Sequence, residues 1–104
     1  MLAELKLVPI GTKSASVSAD LVEVATLIEQ SGLDYRLGPM GTVVEGEWDQ
    51  IVSLARQCHQ AILRKADRVM TTIHIDDRTD VPQTGRMAQK VASLDAKVGR
   101  PLKH

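Results

Sequence analysis

Aromatic side chains are almost missing from this chain: it has no phenylalanine, and Tyr35 and Trp48 are its only aromatic residues. The core must therefore come from Val, Ile, Leu, Met and Ala, and no aromatic cage or base-stacking platform is evident. Cysteine is nearly absent too. Cys58 alone excludes an internal disulfide and points to a reducing compartment. Net charge is missing as well, since 13 Lys and Arg balance 13 Asp and Glu; no strong field draws the chain to nucleic acid or anionic lipid. No apolar run approaches membrane-spanning length, and Met1–Glu4 lacks the basic start of a signal peptide. The expectation is a cytoplasmic protein with no membrane partner. Its 104 residues suffice for a single domain spanning 1–104 and are too few for two.

What is present is organised around Gly38–Asp49, GPMGTVVEGEWD. Gly38-Pro39-Met40-Gly41 reads as a turn, and Thr42–Glu45 as a short strand rich in β-branched residues. After Gly46, Glu47-Trp48-Asp49 opens a helix with acids where its dipole favours them. Thr42 and Glu45 put a hydroxyl and a carboxylate beside glycine-lined backbone. That arrangement is either a ligand wall or simply a hairpin feeding a helix.

The remaining elements follow from periodicity. Met1–Ile10 alternates as a strand, with Ala3, Leu5 and Leu7 on one face, and Pro9 closes it. Gly11–Ser18 is a small-residue loop whose Gly11-Thr12-Lys13-Ser14 lacks the upstream glycine of a phosphate-binding loop, so that motif is rejected. Its hydroxyls could hold an anion, or the loop is merely solvated with Ser18 as N-cap. A helix is predicted over Ala19–Ser31, stopped by Gly32, then a short edge strand over Asp34–Leu37. Trp48–Lys65 carries an apolar stripe of Trp48, Ile51, Val52, Ala55, Cys58 and Ile62. Cys58 reads as a core residue, and its neighbour His59 faces elsewhere, which argues against a Cys–His pair or a metal site. Arg68–Asp77 is the clearest strand, with Val69, Thr71, Ile73 and Ile75 on one face and Met70, Thr72 and His74 on the other. Asp76, Asp77 and Asp80 lack metal-loop spacing and read as a charged loop. Gly85–Val98 is a third helix, with Met87, Val91, Leu94 and Val98 on its stripe.

This order makes an α+β fold: a ferredoxin-like split β-α-β arrangement (βαββαβ), an antiparallel sheet with helices on one face, and an extra C-terminal helix. The open face, with Val8, Met70, Thr72 and His74 among Glu4 and Lys6, is too apolar for open solvent. It implies a homo-oligomer built sheet to sheet.

The sequence resembles the small thiamine-binding protein family of ferredoxin-like fold. The resemblance rests on VPIGT at Val8–Thr12, SGLDYRLGPMGTVVEGEWD at Ser31–Asp49, Arg68-Val69 and IDDR at Ile75–Arg78. It implies a non-enzymatic carrier or sensor for thiamine or its hydroxymethylpyrimidine half, assembled as a dimer or dimer of dimers, with thiamine as ligand and no other cofactor. A ligand-binding site is expected at Pro9, Gly11, Thr12, Gly41, Thr42 and Glu45. There Glu45 and Thr42 would meet the aminopyrimidine, and the glycines would allow close backbone approach. Two other classes are weighed. A small enzyme of the same fold would need a nucleophile–base pair or metal spacing, and none is seen. An RNA-binding module would need sheet aromatics and basic charge.

Overall fold

The computed structural model describes residues 1–11, 18–82 and 85–104, with side chains throughout these except at 18–20. The elements are β1 (Leu2–Ile10), α1 (Ser18–Gln30), β2 (Asp34–Leu37), β3 (Thr42–Glu45), α2 (Trp48–Leu63), β4 (Arg68–Asp76) and α3 (Arg86–Val98). The strands form one antiparallel sheet in the order β2-β3-β1-β4. This is the ferredoxin-like arrangement expected from the sequence, with the short charged β2 at one edge.

The register fixes the two faces. β1 pairs with β4 along its length, from Leu2 opposite Asp76 to Ile10 opposite Arg68. Against β3 it pairs only from Leu2 opposite Glu45 to Leu5 opposite Thr42. Residues directly opposite share a face. Ala3, Leu5, Val44, Ile73 and Ile75 therefore turn toward α1 and α2, while Glu4, Val43, Glu45 and His74 turn away. On the helix side the core closes around Leu5, Val44, Val24 and Ile28 of α1, and Ile51, Leu54, Ala55, Cys58 and Ile62 of α2. Each fully buried aliphatic side chain contributes about 1.5–3 kcal/mol relative to exposure. Tyr35 packs against this core, partly buried, so the aromatic residue of β2 is withdrawn from the open face.

α2 begins with a reciprocal capping box. Glu47 is the N-cap, and its own backbone N–H donates to Gln50 Oε1 at 2.9 Å. The helix differs from the predicted stripe at four positions: Trp48 and Val52 are exposed, while Leu54 and Ala61 are buried. The face that meets the sheet runs Ile51, Leu54, Ala55, Cys58, Ala61, Ile62, a spacing of three and four that excludes Val52. Trp48 occupies the first turn and stays in solvent. Cys58 is fully buried, and burial pushes its thiol up to about 11. His59 Nδ1 lies 2.7 Å from Thr71 Oγ1 of β4. Arg64 and Lys65 both reach Glu23 of α1, at 2.7 and 3.5 Å; this exposed pair of bridges adds little.

α3 begins over the opposite face of the sheet. Its N-cap, Gly85, adopts the left-handed conformation (φ 72°). The Glu45 carboxylate of β3 accepts from Gly85 N at 2.7 Å and Met87 N at 2.9 Å, filling orphan donors of the first turn. Arg86, 4 % exposed, donates from Nη1 to the Asp76 carbonyl at 2.9 Å. Met87 and Leu2 are buried in this second, smaller contact. The predicted α3 stripe holds only in its first half, because Leu94 and Val98 are exposed. The helix leaves the sheet after its first turns, and its last turn is finished by Asp95 accepting from Leu102 N at 2.9 Å.

Candidate ligand-binding groove

β3 is four residues long and β1 is nine, so Lys6–Ile10 has β4 on one side and no partner in β3 on the other. The chain leaves a groove of about 420 Å³ at that gap. β1 from Leu5 to Pro9 forms one wall, the β2–β3 turn from Leu37 to Thr42 a second, and Leu21, Val24, Ala25 and Ile28 of α1 the third. Its volume lies in the range that encloses a small metabolite.

The turn wall owes its shape to two glycines. Gly38 N–H donates to the Gly41 carbonyl at 2.9 Å, closing the turn over Pro39 and Met40. Neither glycine has a positive φ, so the requirement is space. A Cβ on Gly38 would stand 2.7 Å from Gly41 O, and one on Gly41 would stand 3.2 Å from Leu5 O. Both glycines therefore allow the turn to lie close on itself and on β1.

Of the residues expected to form the site, Pro9, Gly41 and Thr42 come together on this groove. Gly11 follows the end of β1 in the left-handed conformation (φ 86°), with Asp67 3.1 Å from where its Cβ would stand. Thr12 lies outside the described residues. Glu45 is not brought to Thr42. Three positions apart on one strand, the two side chains point to opposite faces, and Glu45 sits at the far end of β3 with its carboxylate on α3. The expected wall of hydroxyl and carboxylate is therefore not formed. Sequence reading missed the α1 wall and Leu37. Leu21, Val24, Ala25 and Ile28 fall at helical spacing in the sequence, but nothing in that pattern marked where the stripe outruns the sheet.

The groove is apolar with a polar edge. Leu5, Leu7, Val24 and Ile28 line it, and Thr42, Lys6 and the turn backbone supply its polar groups. No carboxylate lines it among the described residues. Nor is any group of three or more His, Cys, Asp or Glu placed to hold a metal ion among those residues, and no helix there is long and apolar enough to cross a membrane.

Fold and groove together define a small α+β protein with a preformed apolar cleft beside a glycine turn. Residues 3–95 match the profile described as Thiamine-binding protein, and the chain belongs to that family. Among its relatives, UPF0045 protein YqgV of Bacillus subtilis is 33 % identical over 108 residues, covering 99 % of this chain and 95 % of that one. A UPF0045 protein of Methanothermobacter thermautotrophicus is 35 % identical over 98 residues, covering 92 % and 97 %. The crystal structure of a hypothetical protein of Methanocaldococcus jannaschii superposes with a TM-score of 0.78 at 32 % identity, over 88 % of this chain and 94 % of that one. A Thermotoga maritima protein, provisionally assigned to thiamine biosynthesis or salvage, superposes with a TM-score of 0.71 at 21 % identity, over 86 % and 95 %; at that identity it attests the fold.

Proposed function

We propose that this protein is a non-enzymatic binding protein for thiamine or its hydroxymethylpyrimidine moiety, a carrier or sensor, and that the groove beside the Gly38–Gly41 turn takes the ligand. The observation that carries this reading is the groove itself, about 420 Å³ and lined by Pro9, Gly41 and Thr42, in a member of the thiamine-binding family. An aminopyrimidine offers an amine donor and ring-nitrogen acceptors, which the Thr42 hydroxyl and the turn's carbonyls and amides complement. A thiazolium cation gains from a carboxylate, and none lines the groove among the described residues. The neutral pyrimidine is therefore the half that the groove suits. Support for a binding role over catalysis comes from the candidate nucleophile and bases, which sit elsewhere. Cys58 is fully buried, His59 is engaged with Thr71, and His74 lies 3.7 Å from Glu4 on the open face.

Calorimetric titration tests the reading. Hydroxymethylpyrimidine and thiamine should each bind saturably, the former at least as tightly. Ala25→Leu, which puts extra bulk into the α1 wall, should weaken both about tenfold or more while the thermal transition is kept. Undiminished binding in folded Ala25→Leu removes the groove from the site.

The open face supports a second part of the proposal, a homo-oligomer. Val8 is 43 % and Met70 53 % exposed on adjacent strands of one face, and covering them removes apolar area worth about 25 cal/mol per Å². Met70→Asp should shift the protein toward monomer in light scattering. A wild-type monomer at micromolar concentration overturns this part.

A further inference from the structure

At the opposite end of β1 from the groove, the end of β4 and one face of α3 enclose a second cleft, also of about 420 Å³. Arg86, Lys90, Ser93 and Lys97 lie on that helix face at intervals of three and four, and Arg78 stands across from them. The charges there do not balance. Arg86 Nη2 and Lys90 Nζ share a single carboxylate oxygen, Asp76 Oδ2, at 3.3 and 2.9 Å. Arg78 is held by Asp80, its Nε donating at 2.9 Å. Lys97 has no carboxylate within bridging distance among the described residues.

The Arg86 guanidinium is the informative member. It is nearly fully buried, and a buried cation is costly unless it is well paired and hydrogen-bonded. Two contacts to Asp76 are made, one to its carbonyl and one to the shared oxygen, out of a guanidinium with five N–H donors. A second anion in the cleft would complete that pairing. Of the N-terminal amides of α3, those of Gly85 and Met87 are already taken by Glu45. The side chains that line the cleft supply its cationic groups.

We propose that this cleft binds a phosphate group, free or as a monoester, with Arg86, Lys90 and Lys97 as its cationic ligands and Ser93 as a hydroxyl donor. A phosphate dianion suits it better than a carboxylate, because among the described residues the cations of the cleft outnumber the carboxylates that pair them and forked N–H groups match tetrahedral oxygens. This site is separate from the groove and stands whether or not the groove takes a pyrimidine.

The test is calorimetric titration of the full chain with inorganic phosphate, pyrophosphate and phenyl phosphate, at low and at physiological ionic strength. Saturable binding that weakens with salt is expected. The double substitution Lys90→Gln/Lys97→Gln should weaken it about tenfold or more, while Lys65→Gln, just past the end of α2, leaves it unchanged. Tight phenyl phosphate binding with weak phosphate binding identifies a monoester as the ligand; the reverse identifies the free ion. Arg86→Lys, which keeps the charge and loses the fork, should bind more weakly than wild type. Hydroxymethylpyrimidine titrated into the same double variant should bind as in wild type, which separates this site from the groove. Absence of saturable binding at low salt, or unchanged affinity in the folded double variant, overturns the proposal.

Discussion

The two ends of β1 are opposites. At its C-terminal end the strand outruns β3 and is flanked by α1 and the glycine turn, so the surface there is a groove of aliphatic side chains with Lys6 at its edge. Around its N-terminal end, Glu45, Asp76, Arg86 and Lys90 link two strands to α3 through ionic and charge-assisted contacts. Shape and apolar area do the work at one end, and charge does it at the other. The difference shows how a small sheet can keep two regions chemically distinct: the helix side is filled by one apolar core, whereas α3 is held to the open side by polar contacts around the buried Met87 and Leu2.

The groove end is broken most severely by removing volume. Ile28 is 1 % exposed and lines the groove. Ile28→Ala should cost about 2–5 kcal/mol in chemical denaturation and alter ligand preference without changing the salt dependence of binding. A loss below about 1 kcal/mol would mean that the wall collapses into the space.

The α3 end should respond to loss of charge. Glu45→Gln weakens two charge-assisted bonds at the helix start and should cost about 1 kcal/mol. Faster hydrogen exchange at the Gly85 and Met87 amides is the accompanying sign. Affinity at the groove should be unchanged. If Glu45→Gln loses pyrimidine affinity, the ligand sits at the α3 end and the comparison is reversed.

Acid sharpens the contrast further. The Lys90 ammonium, hydrogen-bonded to Asp76, holds that carboxyl below the usual aspartate range, with Arg86 adding to the effect. A carboxyl with a depressed folded value contributes stability above its unfolded value, about 3.9. That contribution is lost as the pH falls through the folded value. Docking of α3 should therefore loosen below about pH 4, and Asp76→Asn should remove part of that dependence. Thermal melts between neutral and acidic pH, with exchange rates read on α3 and α1 separately, measure it. Equal acid sensitivity in wild type and Asp76→Asn would contradict the assignment.

The smallest effect belongs to Cys58. Full burial and a thiol raised to about 11 predict no reaction of the native protein with a thiol reagent near neutral pH. Cys58→Ala should leave both ends functional. Rapid labelling of folded protein would contradict this.

The alternation in β1 and β4, the Gly32 stop and the Gly38–Gly41 turn were enough to read the strand order and the ferredoxin-like fold, because a period of two and a period of three to four are local consequences of backbone geometry. The same local rules placed Cys58 in the core; Pro9, Gly41 and Thr42, which do line one groove, were expected from the family resemblance. They could not decide what Glu45 touches. Its partners are the amides of Gly85 and Met87, at least 40 residues away in sequence, and only the packing of α3 against β3 brings them within reach. Asp76 is the same case. In the chain it looks like part of a charged loop, and only the fold sets it against Arg86 and Lys90, although two cations four residues apart on one helix were a visible hint. Side-chain patterns set which faces are apolar. Where an apolar face outruns its partner, and which charges meet across the sheet, is decided by strand lengths and register in three dimensions.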